Sequence, residues 1–157
     1  MGDFIVKKDL SLTKRCGCVE KFSHFEKRGY PFFYGNFTLT GKLNYDGKSR
    51  EIISFKGRFL TAEITCGGNS KSAVLSDRVD ITDLLKQGEN VLQIKVKSSL
   101  RNLFGPHHNK IDVEKEQVFP KHFTMLGEWE TGKPKEFTEK YSLVQFGIDA
   151  ITLTSTK

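Results

Sequence analysis

Cysteine is scarce in this chain, and its scarcity excludes a disulfide scaffold. Cys16, Cys18 and Cys66 are three thiols in 157 residues, so at least one has no intrachain partner and no framework of bridges can form. "CGC" is too tight for a zinc knuckle, whose ligands stand about two to four residues apart, so ordinary thiols of a reducing compartment are expected. Long apolar runs are missing as well. Nothing approaches the roughly 20 residues that cross a bilayer, and no membrane partner is expected. "MGDFIVKKDL" lacks the apolar stretch and small-residue cleavage site of a secretory leader. The expectation is a soluble chain, either cytoplasmic or cut from something longer. Serine-nucleophile motifs, Walker-type loops and dinucleotide fingerprints are absent. "CGGNSKS" has two glycines and a lysine, without the spacing or the following helix that would hold a phosphate.

The charge is positive, and its location says more than its size. The chain carries +6, and residues 1–58 hold 12 Lys/Arg against 6 Asp/Glu, which accounts for all of it. The remaining residues balance. The excess is scattered through "VKKD", "TKRC" and "EKRG", not gathered into a basic cluster of the kind nucleic-acid proteins show. "KFSHFEKRGYPFFY" comes nearest, with Phe22, Phe25, Tyr30, Phe32, Phe33 and Tyr34 around Lys27 and Arg28. Its expected reading is aromatics entering a core beside solvated charges, so a nucleic-acid partner is not expected. With 37% hydrophobic and 28% charged residues, the balance is that of a folded domain and not of a disordered chain. Thirteen phenylalanines against two methionines favour a β-rich interior, where rings pack on pleated surfaces.

Period-two alternation is the strongest signal present. In "NFTLTGKLN" (36–44), Phe37, Leu39, Gly41 and Leu43 fall on one face and Asn36, Thr38, Thr40 and Lys42 on the other, which predicts a half-buried strand. "FLTAEITC" sets Leu60, Ala62, Ile64 and Cys66 against Thr61, Glu63 and Thr65. "NVLQIKVK" sets Leu92, Ile94 and Val96 against Gln93, Lys95 and Lys97. "EIISF" and "KSAVLS" read as shorter strands. In "YSLVQFGIDAITLTS", Val144, Phe146 and Ile148 are in phase, and Ile151 and Leu153 are in the opposite phase. A one-residue slip would turn the apolar set to the wrong face, so a bulge is expected within 147–150.

Helix is nearly absent. "DITDLLKQGEN" is the one candidate, with Asp80 as cap, Leu84 and Leu85 as anchors and Gly88 as stop. Turns are expected at "YDGK" and "CGGNS". Short strands with Gly-rich turns predict an all-β, jelly-roll-like β-sandwich, and with no repeat or linker the whole of 1–157 reads as a single domain. Residues 98–140 form a long segment without sustained periodicity, although Leu100, Leu103, Phe104, Val118, Phe119, Phe123, Met125, Leu126 and Trp129 are apolar. A structureless loop beyond about 15 residues is uncommon in a compact domain and is usually functional or disordered. Nine large apolar residues speak against disorder, so the segment is expected to pack across one end or face of the sandwich.

"SDRVDITDLLKQGENVLQIKV" resembles the signature of the sugar-binding domain of family 2 glycoside hydrolases, a galactose-binding-like jelly roll. Asp80, Ile81, Thr82, Leu85, Gly88, Glu89 and Asn90 match its "vDIT…lLk.GeN" pattern. "FYGNFTLTGKL" is similar to the family's first core strand. "SLRNLFGPHH" and "YSLVQFGIDAITL" resemble segments found in such domains of large bacterial hydrolases. The likeness runs in order from about Tyr34 to Leu153. Where relatives carry an "NGk.vG" hairpin this chain has "TCGGNSKS", and a hairpin is still expected there. The matching residues have structural roles to fill: Asp80 or Thr82 can accept a backbone N–H, Gly88 permits positive φ, and Asn90 can tie the loop to the next strand.

The resemblance implies a non-catalytic accessory domain, a fragment of a larger multidomain protein, for carbohydrate binding or for support of a neighbouring catalytic domain of the same chain. A structural and interaction module without sugar affinity is the alternative. Glycoside hydrolysis needs two carboxylates about 5 to 9.5 Å apart. Glu128, Glu130, Glu136 and Glu139 sit in a stretch that reads as a solvated loop. The family's catalytic carboxylates belong to a (β/α)₈ barrel of about 250 residues, which this chain cannot contain. No catalytic residue and no metal ligand is assigned. No cofactor is expected, and a structural calcium has no ligand set that the sequence assigns. Carbohydrate contacts, by residue type, are Arg101, Asn102, His107, His108 and Trp129, since planar donors bind ring hydroxyls and an aromatic face stacks on a pyranose. Beside that stands a bland expectation for the two histidines: one bonds to backbone, the other is wet, and adjacent positions in a strand-like segment face opposite ways.

Overall fold

The computed structural model describes residues 4–7, 9, 11–14, 22–74, 76–108 and 138–156. They fall in two compact units: one comprises Cys18–His24, Gly35–Ser99 and Phe146–Lys157, the other Met1–Gly17, Phe25–Tyr34 and Leu100–Gln145.

The first unit is an all-β sandwich. Its strands are β3 (Asn36–Tyr45), β4 (Arg50–Arg58), β5 (Thr61–Cys66), β6 (Asn69–Val74), β7 (Arg78–Asp80), β8 (Gly88–Lys97) and β9 (Gly147–Thr156). They form a four-stranded antiparallel sheet in the order β3-β8-β5-β6 and a three-stranded one in the order β7-β4-β9. The alternation in the sequence explains the layers. Ala62, Ile64 and Cys66 of β5 lie opposite Val96, Ile94 and Leu92 of β8, and all six are buried. Phe37 and Leu39 of β3 pair with Val96 and Ile94 on the same face, and Phe37 meets the ring of Phe146 at 5.8 Å. Ile53 and Phe55 supply the core from the other sheet. Leu60 departs from the expected inward set. It precedes the first β5 pair, gives its N–H to the Lys97 carbonyl at 2.9 Å, and stays exposed.

The turns carry the expected chemistry. Cys66 pairs with Asn69 across a two-residue loop, in which Gly67 (φ 55°) and Gly68 (φ 89°) both take positive φ. That is the backbone a tight hairpin needs and glycine adopts at no steric cost. At "YDGK", the Asp46 carboxylate accepts from the N–H of Lys48 and Ser49, both at 2.8 Å, and from the Ser49 hydroxyl at 2.6 Å. These bonds, the Ser49 hydroxyl foremost, hold the Asp46 carboxyl down at about 2.

The expected helix at 80–90 is a single 3-10 turn, Thr82–Leu84. Leu84 and Leu85 both turn inward, and Gly88 (φ 100°) starts β8 three residues later, so no room remains for a helical stripe. Asp80 ends β7 and still serves the turn: its Oδ1 accepts from the Thr82 N–H at 3.0 Å and from the Thr82 hydroxyl at 2.6 Å. Thr82 Oγ1 in turn accepts the Glu51 N–H at 2.9 Å. Asn90 ties the loop as its residue type suggested. Its Oδ1 accepts from Lys86 N–H at 2.9 Å, and its Nδ2 donates to the carbonyls of Lys86 at 2.6 Å and Gly88 at 2.9 Å.

The parity change in the last strand is a bulge. Gly57 pairs with Ile148 and Lys56 with Ala150, so Asp149 is the extra residue. Without it Ile151 and Leu153 would leave the face of Phe55 and Ile53, to which they are paired.

The second unit holds a short antiparallel pair, β1 (Phe4–Val6) with β2 (Leu12–Lys14), and a 3-10 turn at Phe25–Lys27. Phe25 is buried against Phe33 at 5.2 Å and Tyr30 at 6.0 Å, which is core packing of the "KFSHFEKRGYPFFY" aromatics. Within the long 98–140 segment, Arg101–Phe104 is one helical turn (α1) closed by Gly105 at φ 84°. Residues 109–137 lie outside the described residues.

Candidate functional site

Of the five candidate contacts, four lie in the described residues of one unit, and Trp129 lies outside the described residues. α1 places Arg101 and Asn102. Past Gly105 and Pro106, which are joined by a cis peptide bond, the chain reaches His107 and His108. Residues 138–142 run alongside: His107 O accepts the Ser142 N–H at 2.6 Å, and His108 O accepts the Thr138 N–H at 3.0 Å.

This stretch has no sheet ladder, so side chains satisfy its backbone. Asn102 is 6% exposed, donates from Nδ2 to the Val144 carbonyl at 2.7 Å and accepts the Val144 N–H at 2.8 Å. His107 Nε2 bonds the Asn102 carbonyl at 2.9 Å and His108 Nδ1 the Thr138 carbonyl at 3.0 Å. A carbonyl only accepts, so His107 carries its proton on Nε2 and His108 on Nδ1 in these bonds. Both histidines thus bond to backbone and both are half-buried, where one wet ring was expected. Arg101 Nη2 donates to Ser142 Oγ at 3.4 Å, and burial pulls the Arg101 guanidinium below its ordinary range.

The rings also converge. His108 lies 4.6 Å from Tyr141 between centroids, His107 5.7 Å, and Phe32 lies 5.4 Å from Tyr141 and 5.3 Å from His107. The opposite-face expectation fails because 107–108 is not a strand. Tyr141 itself is exposed. Phe32 and Tyr141 are the residues sequence reasoning missed, and no local pattern links positions so far apart to the histidines. Next to this cluster in the chain, Leu100, Leu103 and Phe104 are exposed, Phe104 to 66%.

What the arrangement offers chemically is a braced aromatic surface with cationic and imidazole donors, not an acid–base pair. Glu139 is exposed, and Glu128, Glu130 and Glu136 lie outside the described residues. Among the described residues no group of three His, Cys, Asp or Glu is placed to hold a metal ion, and no helix is long and apolar enough to cross a membrane. Cys66 is a buried thiol facing Asn90 Oδ1 at 3.6 Å; Cys16 and Cys18 lie outside the described residues.

No protein-family model matches the chain, and no curated protein matches it. Among solved structures it is similar to the β-glucuronidase of Bifidobacterium dentium complexed with coumarin-3-O-glucuronide, at 14% identity and a TM-score of 0.41. That likeness covers 81% of this chain and 21% of the other, so this chain spans about a fifth of that enzyme's length.

Proposed function

We propose that this chain is a non-catalytic β-sandwich domain of a larger glycoside hydrolase, and that it contacts carbohydrate through Tyr141, His107, His108 and Arg101. The observation that carries this reading is the bracing of an exposed ring: Tyr141 is open to solvent while Phe32 and both imidazoles hold it in place. An immobilised aromatic face binds the C–H side of a pyranose at little entropic cost. The half-buried Arg101 beside Ser142 adds planar donors for ring hydroxyls. The "DIT…GEN" resemblance supports the family side of the reading, since Asp80, Thr82, Gly88 and Asn90 each fill a structural role.

A supporting domain without sugar affinity is the second reading, favoured by a specific observation. The polar groups of Asn102 and one ring nitrogen of each histidine already hold main-chain partners, and the exposed Leu100, Leu103 and Phe104 suit a neighbouring domain. A fluorescence and thermal-shift titration against mono- and oligosaccharides separates the two, with the chain's single tryptophan, Trp129, as reporter. A saturable shift that disappears in Tyr141→Ala and Arg101→Ala supports carbohydrate contact. No shift up to millimolar sugar sinks it and leaves the supporting role.

A further inference from the structure

Each sheet of a sandwich has two edge strands, and folded proteins protect such edges with charge, proline or brevity. Three of the four edges here are protected. β7 is three residues long and carries Arg78 and Asp80, β6 carries Lys71 and β3 carries Lys42. β9 is different. It is ten residues long, "GIDAITLTST", has no proline, and its one charge, Asp149, sits at the bulge. Its other edge pairs with no strand among the described residues.

The side chains show the same gap. Ile151 and Leu153 pair with Phe55 and Ile53 and share their core-facing side. Phe55 and Ile53 are 5% and 2% exposed, yet Ile151 and Leu153 remain 38% and 39% exposed. The core is therefore uncovered along this edge, where a fourth strand would match the four-stranded sheet it opposes.

We infer that β9 is a strand-pairing site for a second copy of this chain, joining two three-stranded sheets into one six-stranded sheet about a two-fold axis. The sequence of β9 favours itself as occupant. Antiparallel pairing centred on Thr152 sets Ile151 against Leu153 of the second copy and Leu153 against its Ile151, so the exposed apolar residues cover one another. On the opposite face Thr152 meets Thr152 of the second copy, a favourable hydroxyl pair, and Ala150 meets Thr154. No like charges are opposed, because residues 150–156 are uncharged. The interface is isologous and closes at two copies.

Sedimentation of the full chain over a concentration series tests the pairing, and cysteine crosslinking tests the register. A reversible dimer is expected. Thr152→Lys places two ammonium groups against each other and raises the dissociation constant more than about tenfold, with the melting temperature of the monomer unchanged. On mild oxidation Thr152→Cys gives a covalent dimer faster than Thr154→Cys, the native cysteines being common to both. Three results overturn the inference: a chain monomeric at every concentration, including one that binds a neutral foreign peptide strand instead; a dimer indifferent to Thr152→Lys; or crosslinking as fast at 154 as at 152. If Thr152→Lys melts below the parent chain, the comparison of the two cysteine variants decides alone.

Discussion

Replacing Asn90 by alanine removes the most heavily used amide in the sandwich. Its Oδ1 accepts from Lys86 N–H and faces the Cys66 thiol, and its Nδ2 donates to the carbonyls of Lys86 and Gly88. Three N–H···O bonds at about 1 kcal/mol net each give about 3 kcal/mol. Two considerations pull on that figure in opposite directions. Lys86 is exposed, so water can take over part of what it loses, whereas Asn90 is buried and its removal leaves a small void. About 2 to 4 kcal/mol of lost stability is expected, read as a reduced midpoint in urea with unchanged m-value. Asn90→Asp is the sharper variant. It keeps the acceptor for Lys86 N–H but turns the donor into a second carboxylate oxygen aimed at two carbonyls. Its folded-state pKa is therefore raised, and the penalty is present at neutral pH and shrinks as the carboxyl protonates in acid. A loss below about 0.5 kcal/mol for Asn90→Ala, within the range of a surface change, would refute this account. So would an Asn90→Asp chain as stable as the parent at neutral pH.

Asn102→Ala should lower stability by about 2 kcal/mol and speed hydrogen exchange at the Val144 amide, because it strips partners from a buried N–H and C=O; unchanged exchange at Val144 would count against it. Acid should weaken the "YDGK" turn. The Asp46 carboxyl is lowered from 3.8 to about 2, so its stabilisation is complete above the higher value and is lost as pH falls toward the lower. Asp46→Asn, which cannot titrate, should lose less stability than the parent over that window in a denaturation series, and parallel curves would contradict the assignment. At the hairpin, Gly67→Asn should be neutral or stabilising by about 0.5 kcal/mol, since Asn tolerates φ 55°. Gly57→Ala should cost more than about 1 kcal/mol, because φ is 152° and its Cβ would meet Gly147 O and Ile148 Cα; thermal melts of both variants check the contrast.

Strands, turns and the bulge were legible in the sequence because each rests on a local rule. Period two placed Ala62, Ile64 and Cys66 inside, and the same rule broken once between Ile148 and Ile151 located Asp149 as the extra residue. Gly67-Gly68 and Asp46-Gly47 announced their turns through backbone freedom and side-chain capping. The short 3-10 turn at Thr82–Leu84 was overread as helix because capping residues and paired leucines look alike in either. What stayed hidden was long-range. Phe32 and Tyr141 reach His107 and His108 only through tertiary packing, and Leu60 fits the alternation of β5 while lying outside it.

The polar richness of "SLRNLFGPHH" has a physical origin that precedes any ligand. Backbone in a ladder satisfies itself, whereas backbone in one helical turn followed by irregular chain must borrow side-chain partners. Asn102 lends both of its groups to Val144, and each histidine lends a ring nitrogen to a carbonyl. Residue types that suggest chemistry are therefore also what an irregular buried segment requires. The discriminating feature is what remains after those demands are met: one exposed ring, Tyr141, held by three others. Bracing an exposed aromatic on that many neighbours does nothing for the backbone, which is why Tyr141, and not the histidines, is the residue on which a carbohydrate contact should first be tested.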